Sequence, residues 1–361
     1  MALSLFAAAV SSAQNSKKDE DQLQTPAPLK ELPLAVSGAT RRLVFHVVPM
    51  SAKGLLTQQV RDALKTLAQE TGKDAVLHIR AFVAGAGDVR RVRDLVSETF
   101  TSRKQPLPAL SLIEAGGLSL PGAQVMLEAV SEARRDVNPW GLVFLSAQAA
   151  TADDPSSPAA PLVAKSLARL GDVARAAGVA ENDVVRVTCY MSSLDDLAAA
   201  GAQLRAVFPA AAADYVRPRR VPTEASAACE AVARLNQPSG GGMRLIDGAG
   251  PSGQSGESAA ALLDSPWAVL TGTQESFGYE EKDARLALQR LSAALEQAGA
   301  APGSVAYARY YALSSGIAAQ LRKVRPGFLG AAHPPAGWLL LWEGAGSMDA
   351  GFAVDAVAAK N

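Results

Sequence analysis

The chain is poor in the residues that several common kinds of chemistry need. Its 361 residues include only two cysteines and three histidines. Cys189 and Cys229 are too few for a disulfide framework or a cysteine-based zinc module. His46, His78 and His333 leave little for a histidine-rich site, so no metal is expected. Neither charge is in excess: 35 Lys+Arg balance 35 Asp+Glu. That leaves no electrostatic footprint for a nucleic-acid duplex or an anionic membrane surface. No run approaches the ~18–20 apolar residues that span a bilayer. Aromatic residues make up only 5%, so the core has to be filled mainly by Ala, Val and Leu. What the chain does have is length and apolar content, 361 residues at 48% hydrophobic. At about 100–150 residues per domain, that is enough for two or three cores.

Residues 2–10, ALSLFAAAV, are a short apolar run followed by Ser11, Ser12 and Ala13. This fits a secretory signal over 1–13 cleaved after Ala13, and hence export to the periplasm or medium. No Lys or Arg precedes the run, so a cytoplasmic chain with an apolar tail is the alternative. Residues 14–42 are polar, carry the mixed-charge run Lys17–Asp21, and are interrupted by Pro26, Pro28 and Pro33. They read as a linker.

The remainder repeats. Pro139-Trp140-Gly141 and the apolar run to Gln148 are echoed by Pro266-Trp267-Ala268 and the run to Gln274, and Leu43-Val44-Phe45 matches Leu142-Val143-Phe144. Each is a short buried strand. An amphipathic helix comes next in every segment, with cores Ala63–Leu67, Ser166–Leu170 and Ala287–Leu291, stopped at Gly72, Gly178 and Gly299. Then come second strands at Val76–Phe82, Val184–Tyr190 and Val305–Tyr311, and second helices at Val89–Phe100, Leu194–Phe208 and Ile317 to about Leu329. Two extended stretches close each segment. The last of them carries an acid at the same place: Glu128, Glu230 and Asp355. The segments run over 43–135, 138–236 and 264–361, with a Gly/Ser-rich linker over 237–263. Helices on one face of each sheet leave the other face in need of cover, which three copies can give one another.

The ordered series of an opening strand ending near Ser-Ala-Gln, a helix ending in Ala-Gly-Val, Val-Val-Arg-Val-Thr and a helix ending in Phe resembles the Rid (YjgF) family. So does the stretch that opens with Pro335-Ala336-Gly337-Trp338 and closes with Phe352-Ala353-Val354-Asp355. The resemblance covers roughly three-quarters of the chain, and no single motif in it is diagnostic. It implies the α/β (α+β, chorismate-mutase-like) Rid fold in three tandem domains. Inner mixed sheets with outer helices would then form a pseudo-threefold trimer on one polypeptide. It also implies ligand clefts between neighbouring domains, and linkage makes their association intramolecular.

Active family members hydrolyse enamines and imines such as 2-aminoacrylate to a keto acid and ammonia. A strand arginine two residues after a proline holds the carboxylate, and a glutamate in the final strand positions water. Here the arginine position falls on Leu110, Ala213 and Gly337, and the glutamate position on Met126, Ala228 and Ala353. None suits the chemistry. Arg217, Arg219 and Arg220 lie a few residues further along the second copy; they read as a solvated basic loop unless a register slip brings one into a cleft. Gln148 and Gln274 end their strands near the expected clefts and suit turn capping better than ligand contact.

Other signals are weaker. Gly248–Gly253 has the GxGxxG form, but Pro251 stands where a phosphate-binding N–H is needed, and the helix-like Ala259–Leu263 runs straight into the next repeat. No cofactor is expected. His46 and His78 read as packed or surface strand residues, and His333 as a loop residue. Cys189 and Cys229 read as free buried thiols, although export would favour a bridge. The sequence therefore points to a degenerate Rid protein, a small-molecule binder or a scaffold subunit for protein partners, without nucleic acid or a membrane span. The alternative is a deaminase with one working cleft in the second copy.

Overall fold

The computed structural model describes residues 29–84, 89–247, 256–330, 333–347 and 349–360. The candidate signal and the Gly248–Gly253 motif lie outside them. A strand β1 (Ala35–Ala39) precedes a first unit of β2 (Leu43–Val47), α1 (Leu56–Thr71), β3 (Ala75–Ala84), α2 (Val89–Ser102), β4 (Ala109–Ala115), β5 (Gly117–Leu118) and β6 (Val125–Glu132). The second unit is β7 (Leu142–Ala152), α3 (Ala159–Ala176), β8 (Val184–Met191), α4 (Leu197–Val207), β9 (Ala212–Arg217) and β10 (Ala225–Arg234). A hairpin of β11 (Gly242–Ile246) and β12 (Ala260–Asp264) comes next. The third unit is β13 (Trp267–Thr271), β14 (Gln274–Phe277), α5 (Glu281–Gln297), β15 (Val305–Ala312), α6 (Ser315–Val324), α7 (Pro326–Leu329), β16 (Ala336–Leu341), β17 (Gly344–Ala345) and β18 (Ala350–Lys360).

The expected α/β architecture forms, as three mixed sheets. Each contains one parallel pair, β3 with β4, β8 with β9 or β15 with β16, and its remaining strands pair antiparallel. The parallel pair needs a crossover, and the second helix of each unit provides it. One inner core draws on all three sheets, including Phe82, Phe144, Tyr190, Tyr307, Tyr311, Trp338 and Trp342. Three separate cores lie between a sheet and its own helices. In the second unit, Leu162, Val163, Leu167 and Leu170 of α3 are buried, at about 1.5–3 kcal/mol each. The helix stops are as read: Gly72, Gly178 and Gly299 have φ of 58°, 73° and 83°.

Composition suggested an Ala/Val/Leu core, and that describes the helix-side cores. The scarce aromatics are instead concentrated on the inner core, where Tyr190 and Trp338 meet edge-on at 4.9 Å and Phe82 stacks on Trp342 at 5.5 Å.

Four expectations need correction. The segments read as linkers over 14–42 and 237–263 contain paired strands. β1 pairs with β13, Val36 opposite Leu270, and β12 pairs with β7, Leu262 opposite Val143. The helix-like Ala259–Leu263 is most of β12. Ala and Leu favour helix, but five residues cannot offset nucleation, and the free edge of β7 offers a full set of hydrogen bonds. The third unit's second helix breaks into α6 and α7 because Pro326 has no N–H to continue it. Finally, Cys189 and Cys229 are not free but form a disulfide. They stand directly opposite in the β8–β10 ladder, one residue away from the pair Thr188–Glu230.

The exchanged strands link the units in a cycle. β1 leads into the first unit but completes the sheet of the third, and β12 leads into the third but extends the second. Smaller strands cross similarly: β5 pairs with β9, and β17 pairs with β4. The equivalent segment of the second unit runs Pro218-Arg219-Arg220-Val221-Pro222 and forms no strand, since two prolines remove the ladder donors.

Candidate functional site

Register identifies equivalent positions without reference to sequence similarity. Glu128 lies opposite Arg80, Glu230 opposite Thr188 and Asp355 opposite Arg309. On the parallel side, Leu110 pairs with Ile79, Ala213 with Val187 and Gly337 with Ala308. Each is one residue before the position facing Arg80, Thr188 or Arg309, so the three occupy one structural place. Gly337 has no room for a side chain, because a Cβ there would lie 1.8 Å from the Ala308 carbonyl oxygen. Its N–H donates to Ser146 Oγ of the second unit at 2.8 Å. At Leu110 the third unit's backbone also comes close. Thr273 N–H donates to the Leu110 carbonyl at 3.2 Å, and a Cβ on Gly272 would meet that same oxygen at 2.5 Å. Met126, Ala228 and Ala353 are likewise equivalent, opposite Phe82, Tyr190 and Tyr311.

The three arginines of the second unit separate. Arg217 donates through Nη2 to the Gly116 carbonyl at 2.9 Å, between the first and second units. Arg220 is exposed and pairs with Glu343 of the third, Nε to Oε1 at 3.0 Å. Arg219 lines a cavity of about 290 Å³ between the second and third units. Arg322 of α6, Ser315, Leu339, Leu341 and Ala228 also line it. Among the described residues, no hydrogen bond or ion pair engages the guanidinium of Arg219 or of Arg322. Arg219 is near Glu343, whose carboxyl is held below its ordinary range. Burial opposes that charge, but hydrogen bonds from Arg220 and the charges of Arg220 and Arg219 prevail. A half-buried guanidinium and an exposed one above an apolar wall suit a small organic anion with an apolar body.

Gln148 and Gln274 are buried and turn inward on their own strands. Each Nε2 donates to a carbonyl two residues back, Ser146 at 3.0 Å and Gly272 at 3.1 Å. Their neighbour Ala149, not Gln148, lines the cavity. The histidines do find serines in space. His78 Nε2 lies 3.0 Å from Ser111 Oγ, and burial first, with nearby guanidiniums helping, pulls its pKa down to about 4. His46 Nε2 lies 2.8 Å from Ser131 Oγ and its Nδ1 is 3.8 Å from Glu70. The order Ser–His–Glu has the form of a hydrolase triad, but Ser131 is 0% exposed, so no substrate reaches its oxygen. No described group of three His, Cys, Asp or Glu side chains is placed to hold a metal ion. No described helix is long and apolar enough to cross a membrane.

A buried polar cluster is marked in the sequence by its recurring acid but not by its arginines. The three repeated acids meet where the sheets converge, with Arg80, Arg186 and Arg309 among them. Arg80 donates to Glu128 (Nε, 2.6 Å) in its own unit and to Glu230 (2.9 Å) in the next. Arg186 pairs across the boundary with Glu128 at 3.2 Å. Arg309 pairs with Asp355 at 3.1 Å and reaches Glu230 at 3.4 Å. Glu230 also accepts from Tyr190, Tyr307 and Trp338. Burial opposes ionisation of these acids, yet Arg309, Arg80 and Arg186 hold Glu230 down to about 2. Glu128 is held lower still by Arg186 and Arg80. A charge recurring in the middle of apolar strands, as in Val76–Phe82 and Val305–Tyr311, was the available signal.

No protein-family model matches this chain, and no curated protein matches it. Solved structures do. A YjgF/YER057c/UK114-family protein from Mycobacterium tuberculosis is 20% identical, with a TM-score of 0.24, over 32% of this chain and 98% of its own. The Rid-family protein YyfB from Yersinia pestis is 22% identical, with a TM-score of 0.30, over 32% and 98%. Yeast Mmf1 is 14% identical, with a TM-score of 0.25, over 32% and 94%.

Proposed function

We propose that this chain is a degenerate, ring-like Rid relative that binds a small organic anion between its second and third units and does not hydrolyse imines. The observation that carries the reading is the cavity of about 290 Å³ lined by Arg219 and Arg322. Against deamination stand Leu110, Ala213 and Gly337 at the arginine position and Ala228 at the water-positioning one. The deaminase alternative draws on Arg219, whose guanidinium is in that cleft. The carboxylate that lines the same cleft is Glu224, not a residue of the final strand, where the methyl of Ala228 cannot accept a proton from water.

The test is a pair of measurements on the full chain. One is release of keto acid from enzymatically generated 2-aminoacrylate, with a family deaminase as control. The other is calorimetric binding of 2-oxobutyrate. Binding without acceleration is the expected result. Acceleration abolished by Arg219→Ala would establish the deaminase instead, and neither binding nor turnover would sink both readings.

We also infer export, on the support of the Cys189–Cys229 bridge, since disulfides persist mainly in oxidising compartments. Alkylation of thiols in the denatured protein, freshly isolated from its host, tests it. Two labelled cysteines would count against export.

A further inference from the structure

The inner cluster contains four buried carboxyls and three guanidiniums. Glu128, Glu230 and Asp355 match Arg80, Arg186 and Arg309 in number, and each has donors on both carboxyl oxygens. Glu128 takes Arg80 on Oε2 and Thr188 on Oε1 at 2.6 Å. Glu230 takes Arg80 and Tyr190 on Oε1, and Tyr307 and Trp338 on Oε2. Asp355 takes Arg309 on Oδ1 and Tyr311 on Oδ2 at 2.8 Å. Asp214, on β9 opposite Thr188 of β8, is the fourth. It is 2% exposed, and as a carboxylate neither of its oxygens finds a donor. Its equivalents in the first and third units, facing Arg80 and Arg309, are Ser111 and Trp338, side chains that bring their own hydrogen.

We infer that Asp214 is a resident carboxylic acid whose O–H donates to Glu128, a proton-dependent link between the first and second units that weakens as pH rises.

The groups facing Asp214 support this from every side. Glu128 of β6 is the acceptor and the repelling charge, and Arg186 of β8 and Arg80 of β3 already serve Glu128. Burial first, then the Glu128 charge and the hydrogen bond to it, push the Asp214 carboxyl well above its ordinary range; Arg186 and Arg80 only reduce the rise. His78 adds no positive charge near neutrality, its pKa being about 4. With Asp214 protonated, three cations face three anions; with Asp214 ionised, one buried charge is uncompensated.

The sign comes from proton counting. A carboxyl raised in the folded state contributes most below its unfolded pKa, and that contribution is lost as pH climbs toward the folded value. Above about pH 5 the folded chain keeps a proton that the unfolded chain has released, so the folded-to-unfolded ratio falls about tenfold per pH unit from this group alone.

The experiment is urea unfolding of wild type and Asp214→Asn, disulfide intact, from pH 5 to 9. The amide still donates but cannot ionise. The variant's folded-to-unfolded ratio is expected to gain on wild type by about tenfold per unit of pH. Equal pH slopes would overturn the proposal. Should the variant not fold, infrared spectra of wild type carrying carboxyl-labelled aspartate decide it. A protonated-carboxyl C=O band from a folded chain at pH 7 is expected, and its absence overturns the proposal.

Discussion

The inner cluster and the cleft between the second and third units are built from adjoining positions on the same strands, yet they treat charge in opposite ways. Tyr190 lines the cleft while its hydroxyl reaches Glu230 in the cluster, and Trp338 in the cluster is next to Leu339 in the cleft wall. The cluster leaves a cavity of only about 20 Å³, and its guanidiniums face acids from more than one unit. The cleft is more than ten times larger and presents Arg219 and Arg322, whose guanidiniums make no hydrogen bond or ion pair among the described residues. Charge that is matched and sealed holds units together; charge that is unmatched and accessible is available to a ligand. The difference also places the divergence of the repeats. The Leu110 position is closed by the backbone of Gly272 and Thr273. The second–third boundary stays open where Pro218 and Pro222 prevent a crossing strand.

The largest effect should come from breaking the cluster. Glu230→Ala removes the acceptor of Arg80, Tyr190, Tyr307 and Trp338 at once. It leaves buried cations short of an anion, which costs about 3–5 kcal/mol. Urea unfolding measures it, and a loss below about 1 kcal/mol would mean that the cluster is not the joint between units. Next comes the bridge between β8 and β10, which closes a separation of 40 residues. Cys229→Ser should cost about 2–4 kcal/mol, and because Ala228 beside it lines the cleft, ligand affinity should fall as well.

Acid separates the two regions without mutation. Glu128 and Glu230 have lowered pKa values in the fold, so their contribution is present above the ordinary glutamate value near 4.5. It is lost as pH falls through about 2, the folded value of Glu230. Circular dichroism against pH should show cooperative loss of structure between about pH 4 and 2. Glu230→Gln should shrink that limb; an unchanged limb would place acid sensitivity elsewhere.

How much of this could be read in advance depends on the distance over which each signal acts. The helices, their glycine stops and the shared position of Glu128, Glu230 and Asp355 are local or repeat-level patterns, and they were legible. β1 and β12 were not, because Val36 finds Leu270 and Leu262 finds Val143 across the chain, and nothing local marks those partners. The arginines escaped because they share no column. Arg186 stands where the first unit has His78 and the third has Tyr307, two residues before the place of Arg80 and Arg309. The charges agree only after folding brings the three strands to one axis. The disulfide was within reach: once Glu230 is opposite Thr188, antiparallel pairing sets Cys229 against Cys189.

The smallest effect on stability should be the most informative about ligand. Arg219→Ala and Arg322→Ala remove side chains that hold nothing in place, so each should change unfolding free energy by no more than about 0.5 kcal/mol. Affinity for 2-oxobutyrate should respond very differently, because a hydrogen bond to a charged group is worth about 1.5–3 kcal/mol. That is roughly ten- to a hundredfold per guanidinium that touches the carboxylate. Arg219, the more buried of the two, should show the larger loss, and Arg219→Lys should recover little of it, since a point charge does not reproduce the planar fork. Full recovery by lysine would reduce the cleft's role to general electrostatic attraction. Loss of affinity confined to Arg322 would move the carboxylate outward, to the mouth of the cleft.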